Sequence, residues 1–153
     1  MDIAPLFETQ QLIGWQETVA LPALGISQLK VKVDTGARTS ALHALQIQPF
    51  KKAGKHWVRF AWQADNDSQL MWREAAIIDK RAITNSGGQT EQRYVIQTLL
   101  QLAGREWPIE LSLSNRERMK FRMLLGRSAM VSGALLVDPA VTYQLTQNNA
   151  FND

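Results

Sequence analysis

The chain has 153 residues, 45% hydrophobic and 20% charged, a length and balance that suit one folded domain with its own core. Seventeen Lys and Arg against fourteen Asp and Glu leave a formal charge of +3, too small an excess to call for a polyanion, so nucleic acid is not an expected partner. Cysteine is absent, which excludes disulfides, thiolate nucleophiles and Cys-based zinc sites; no leader pattern and no tract of membrane-spanning length is found, so a cytoplasmic protein without a membrane partner is expected.

In chain order, residues 1–11 read as a loose N-terminus, residues 12–143 as the folded domain, and the polar, Asn-rich residues 144–153 as a frayed tail. Ile13, Trp15 and Val19 predict a strand over 12–20, stopped by the turn Leu21-Pro22-Ala23-Leu24-Gly25. Leu29, Val31 and Val33 alternate with polar residues in a second strand that ends at Asp34-Thr35-Gly36. Leu42, Leu45 and Ile47 predict a strand over 41–50 ending at Pro49. Lys51-Lys52-Ala53-Gly54-Lys55 is then a basic hairpin tip, and Lys51, Lys52, Lys55, His56 and Arg59 form a solvated cluster. Val58, Phe60 and Trp62 mark a strand over 57–63, followed by a polar loop over 64–69.

Residues 70–84 and 89–102 are two long strands joined by Asn85-Ser86-Gly87-Gly88, whose paired glycines favour positive φ and a hairpin tip that can bend. Trp107, Ile109, Leu111 and Leu113 give the clearest amphipathic strand. After the charged turn Asn115-Arg116-Glu117-Arg118, Met119, Phe121, Met123 and Leu125 alternate as another. Residues 127–131 fit a short helix stopped by Gly133, before an apolar strand over 134–137. Eight or nine short strands, with turn signals at roughly 8–12-residue spacing, predict an all-β barrel or sandwich.

A carboxylate where a strand runs into a Gly turn has two readings: Asp34 caps its own backbone, or it is held at a surface cleft. The apolar strand before it, Ala37 and Ser40 after it, and a later apolar-apolar-Gly element, Leu124-Leu125-Gly126-Arg127, together resemble the retropepsin-like aspartic proteases. The resemblance is closer to a bacterial family labelled ATP-dependent zinc proteases and associated with a ribosomal-protein glutamate ligase. It is carried by Val33-Asp34-Thr35-Gly36-Ala37-Arg38-Thr39-Ser40-Ala41-Leu42-His43, Arg93-Tyr94-Val95-Ile96, Trp107-Pro108-Ile109-Glu110-Leu111 and Met123-Leu124-Leu125-Gly126-Arg127.

The resemblance implies a closed retropepsin-like barrel with a flap hairpin and one short helix. It also implies peptide hydrolysis by water held between two aspartates that share a proton. One Asp-Thr-Gly per chain then requires a C2 homodimer in which Asp34 of each copy meets its partner. By the same resemblance Thr35 bonds across the axis, Gly36 leaves room for the substrate backbone, and Leu124, Leu125 and Gly126 pack beneath the loop. The hairpin at Asn85, Ser86, Gly87 and Gly88 is either the flap or an ordinary turn.

Arg38 is unusual for a retropepsin. Close to Asp34 it would oppose a shared proton, whereas elsewhere it would point outward or bind an acidic peptide such as a glutamate-rich tail. His43 is a structural residue, an orienter of the Asp34 loop, or a zinc ligand with Asp34 and another carboxylate; no cofactor is expected, and the residues do not force a zinc site. Gly54-Lys55 lacks the rest of a phosphate-binding loop, so ATP is not expected. Ser40 reads as a hydrogen-bond donor to the Asp34 loop. The alternative to a peptidase is a catalytically silent peptide-binding module on the same barrel.

Overall fold

The computed structural model describes residues 3–142; the tail expected to fray over 144–153 lies outside the described residues. Strand β1 (Gln11–Ile13) and strand β2 (Gln16–Leu21) replace the single strand expected over 12–20. The chain turns at Gly14, where a Cβ would lie 2.1 Å from the Val141 carbonyl oxygen and where the N–H donates to the buried carboxylate of Glu17 at 2.8 Å. After a short 3-10 turn, β3 (Ile26–Val33) carries the apolar alternation to the edge of the Asp34 turn.

β4 (Ser40–His43) and β5 (Leu45–Lys52) divide the strand expected over 41–50. The His43 and Ala44 N–H groups are taken by the carbonyls of Arg122 and Ser114, and the chain then leaves for an outer hairpin with β6 (Lys55–Trp62). Pro49 sits inside β5 and does not end it, because β5 is an edge strand with one unpaired side. β7 (Met71–Thr84) and β8 (Thr90–Leu102) form the long hairpin, followed by β9 (Arg105–Ser114), β10 (Met123–Leu125), helix α1 (Arg127–Ser132) and β11 (Leu135–Val137).

Six strands close a barrel in the order β2-β3-β10-β4-β9-β8, with Ala20 of β2 pairing Gln101 of β8. The expected all-β, retropepsin-like barrel with one short helix is the fold. β7, β6 and β5 extend the sheet beyond β8, and β1 pairs with β11 in a separate parallel ladder. Val31, Leu42, Ile96, Leu100, Leu111, Met123 and Leu125, all without exposed surface, fill the interior.

The topology positions the site through β10. This strand runs parallel to β3 on one side and antiparallel to β4 on the other, so the late segment 123–125 is threaded between two strands joined by the Asp34 turn.

The strand expected over 119–125 forms only from Met123. Before it, the backbone of 116–122 is turned and its carbonyls are claimed individually: Arg116 O by the Met119 N–H, Phe121 O by the Arg116 side chain, Arg122 O by the His43 N–H. Alternation of Met119 and Phe121 therefore mimics a strand without a ladder partner. Gly133 does end α1, but its φ is −81° and Ala134 takes the positive φ of 54°. Gly133 is needed for space, since a Cβ there would lie 2.3 Å from the Trp107 ring.

Candidate active site

The Asp34 turn is held on three sides by backbone hydrogen bonds. The Asp34 N–H donates to Leu125 O at 2.9 Å, and the Arg127 N–H donates to Ala37 O at 2.7 Å. Ser128 donates to Arg38 O through both its N–H at 3.0 Å and its hydroxyl at 2.8 Å. Arg127 Nη1 reaches Thr35 O at 2.9 Å. Leu125 and Gly126 thus lie under the turn and Leu124 faces the cleft above it.

Gly126 matters by proximity: a Cβ there would be 2.8 Å from the Thr39 carbonyl carbon and 3.0 Å from both Ala37 O and Ser40 N. Its N–H donates to Ser40 Oγ at 2.9 Å, so the buried Ser40 hydroxyl accepts from the β10 end, where the sequence suggested a donor to the loop. Ser40 O in turn accepts from the Ser112 hydroxyl at 3.0 Å.

Both readings of Asp34 hold at once. Its Oδ1 accepts the Gly36 N–H at 2.8 Å, the self-capping of an Asx turn, and the half-buried carboxylate still lines a cleft of about 310 Å³. Oδ2 has no protein partner among the described residues. Gly36 and Ala37 line the same cleft, while Thr35 is exposed at the turn's tip.

The opposite wall comes from the β7–β8 hairpin, whose residues Ile83, Thr84, Asn85 and Ser86 line the Asp34 cleft. Asn85 builds the tip: its Oδ1 accepts the N–H groups of Gly87 at 2.9 Å and Gln89 at 3.0 Å. Of the two glycines only Gly88 takes a positive φ, 85°.

Arg38 does not line this cleft. Its exposed side chain borders a separate depression with Ile3, Arg127, Ser128 and Val131. The cations that do line the Asp34 cleft are Arg93 and Arg116. Arg93 is nearly buried and paired with Glu91 at 2.6 Å. Arg116 is buried, with its Nε on Phe121 O at 3.2 Å; burial and the neighbouring Arg93 push its guanidinium below the usual range, and Asp34 pulls it back up. Neither arginine is read from the sequence as a site residue: Arg93 enters only as part of a segment carrying the family resemblance, Arg116 sits in an ordinary charged turn, and periodicity carries no signal for a buried cation.

His43 does not reach Asp34. It is fully buried, its Nδ1 accepts the Arg116 N–H at 2.8 Å, and its ring packs edge-on against Trp62. Burial first, then the Arg122 charge, lower it to about 4, so it is a neutral acceptor that seats Arg116. The zinc set of Asp34, His43 and another carboxylate is not assembled, and among the described residues no group of three His, Asp or Glu side chains converges. A metal therefore does not fit these residues.

One further ion network braces the loop: Arg81 binds Glu110 at 2.7 Å and Asp79 at 2.6 Å and reaches the Thr39 hydroxyl at 3.5 Å. Among the described residues no helix is long and apolar enough to cross a membrane.

The family model described as RimB-like, retropepsin-like aspartic endopeptidase RimB, matches residues 12–148. The chain belongs to this family. A protein of Shewanella halifaxensis named probable alpha-L-glutamate ligase is 47% identical over 140 residues, which is 90% of this chain and 30% of that protein. A protein of the same name from Parasynechococcus marenigrum is 46% identical over 136 residues, 88% of this chain and 29% of the relative. The chain thus spans about 30% of the length of the curated relatives it matches. A crystal structure of a Legionella pneumophila protein of unknown function superposes with a TM-score of 0.76 at 27% identity, covering 90% of this chain and 99% of that one.

Proposed function

We propose that the chain is an aspartic-type endopeptidase that works as a C2 homodimer, with Asp34 of each copy activating and protonating around one water. One observation carries the reading: among the described residues Asp34 is the sole carboxylate lining a cleft that the β7–β8 hairpin roofs, and its Oδ2 has no partner. Two-carboxylate chemistry therefore needs a second copy, which would bring Thr35, exposed at the tip of the same turn, to the axis. The hairpin tip around Asn85 is the flap in this reading, closing over an extended peptide to exclude water.

Arg93 and Arg116 add a preference for acidic peptides, since guanidinium groups at a desolvated wall bind carboxylates through charge-assisted hydrogen bonds. The relatives' printed name, a glutamate ligase, fits a peptidase that handles glutamate-containing chains. The same two cations also favour the second reading, a silent peptide-binding module, because positive charge beside a carboxylate pair opposes sharing a proton.

Digestion of mixed acidic and neutral peptide libraries across a broad pH range decides between them. Wild type is expected to cleave, acidic peptides fastest, and Asp34→Asn to fall by about a thousandfold or more with the fold retained. Binding without cleavage at any pH would establish the silent module.

A further inference from the structure

A second cavity lies apart from the Asp34 cleft. It measures about 670 Å³, within the usual range for small-molecule sites, and it shares no lining residue with that cleft. Its walls come from the β2 start, the 25–30 segment, Trp62 at the end of β6, and residues 120–122. Among the described residues three cations, Lys30, Lys120 and Arg122, line it and no carboxylate does.

Two independent features mark this cavity. The first is an unpaired donor. Arg122 Nη2 binds Asn66 Oδ1 at 2.6 Å, but Nη1 is buried and has no hydrogen-bond partner among the described residues. A buried donor left unmade costs about 1–3 kcal/mol, more when charged. Asp65 feels the Arg122 charge only as the weakest of its influences, its carboxylate being held first by Ser68 and the Asp67 N–H. The positive field is felt on the other side too, where Arg122 helps to keep His43 neutral.

The second is backbone strain at the rim. Gln28 has a φ of 53°, and the pairing of β2 with β3 slips by one residue around it, Val19 facing Leu29 but Leu21 facing Ile26. A non-Gly residue in that conformation costs on the order of 1 kcal/mol, and bulges of this kind re-aim side chains beside sites.

We propose that this cavity is a binding site for a small organic anion, whose carboxylate or phosphate oxygens are drawn by the three cations on its wall, Arg122, Lys30 and Lys120. Guanidinium and ammonium groups suit such oxygens, and Trp62 and Phe121 give the ligand's carbon skeleton an apolar wall. The site stands apart from the peptidase reading and would exist whether or not Asp34 cleaves anything.

Inorganic phosphate and citrate, titrated separately at constant ionic strength, test it through the Trp62 indole N–H resonance. The expected result is a saturable shift with at least one of them, the stronger binder telling phosphate from carboxylate ligands. Affinity should fall by about tenfold or more in Arg122→Gln, the equivalent of about 1.4 kcal/mol. The Lys30→Gln/Lys120→Gln double variant, altered only at exposed side chains, should weaken it several-fold and serves if Arg122→Gln does not fold. An unmoved Trp62 signal with both anions, equal shifts in wild type and the variants, or shifts confined to Arg93 and Arg116 would overturn the site.

Discussion

Two of the segments that wall the Asp34 cleft beside the β7–β8 hairpin are held in different ways. The turn over residues 34–40, closed internally by Asp34 on the Gly36 and Ala37 N–H groups, is clamped from outside: Leu125, Arg127 and Ser128 bind its Asp34 N–H and its Thr35, Ala37 and Arg38 carbonyls, and Gly126 binds the Ser40 hydroxyl, all far away in sequence. The segment over residues 115–122 is fixed from within and from below, by the Asn115 side chain on the Glu117 N–H, by the Met119 N–H on Arg116 O, and by His43 under the Arg116 N–H. The first presents an acid, the second a cation. The acid is clamped by distant backbone, whereas the cation's own N–H is seated on a neutral imidazole and its side chain on the Phe121 carbonyl.

The comparison can be broken at either end. Gly126→Ala attacks the scaffold: its methyl would meet backbone at 37–40, which cannot swing away as a side chain can. A loss of about 2–3 kcal/mol is expected, seen as a melting temperature lower by roughly 5–10 °C.

Acid attacks the other wall. In the unfolded chain His43 titrates near its ordinary 6.5, and in the folded chain at about 4. Between those values the unfolded state holds a proton that the folded state lacks, so stability falls as pH drops from 6.5 toward 4 and levels off below. The His43 contribution to that fall is on the order of 3 kcal/mol. Urea unfolding at pH 7 and pH 4.5 measures it, and His43→Asn, which keeps an acceptor near Nδ1 but cannot titrate, should shrink the difference between the two pH values.

Ser40→Ala sharpens the comparison with the smallest effect. It leaves the buried Gly126 N–H without its acceptor and should cost about 1–3 kcal/mol, with the Asp34 turn losing hydrogen-exchange protection first.

The same contrast explains what could be read from the sequence. Alternation on β3, β6 and β9, the glycine-marked hairpin and the apolar-apolar-Gly element each leave a local signature, and together they point to the barrel and to Asp34. The electrostatic surroundings leave none. Arg38 drew attention because it is near Asp34 in sequence, but its carbonyl is bound over α1 and its side chain borders another depression. Arg93 and Arg116 enter the cleft from β8 and from a turn whose shape comes from tertiary hydrogen bonds, not from periodicity. The Gly133 position was legible but its cause was not, since only the packed Trp107 shows why a side chain is excluded.

The threading of β10 between β3 and β4 has a temporal side. The bond from Gly126 to Ser40 spans 86 residues, and that from Arg127 to Thr35 spans 92. A growing chain that has made the Asp34 turn therefore lacks the strand that clamps it until most of the domain has been synthesised. Closing so long a loop is entropically costly and slow, so the geometry of the Asp34 turn is among the last to consolidate during folding. A cleft built this way carries its own delay, forming only when the segments on both sides of it have been made.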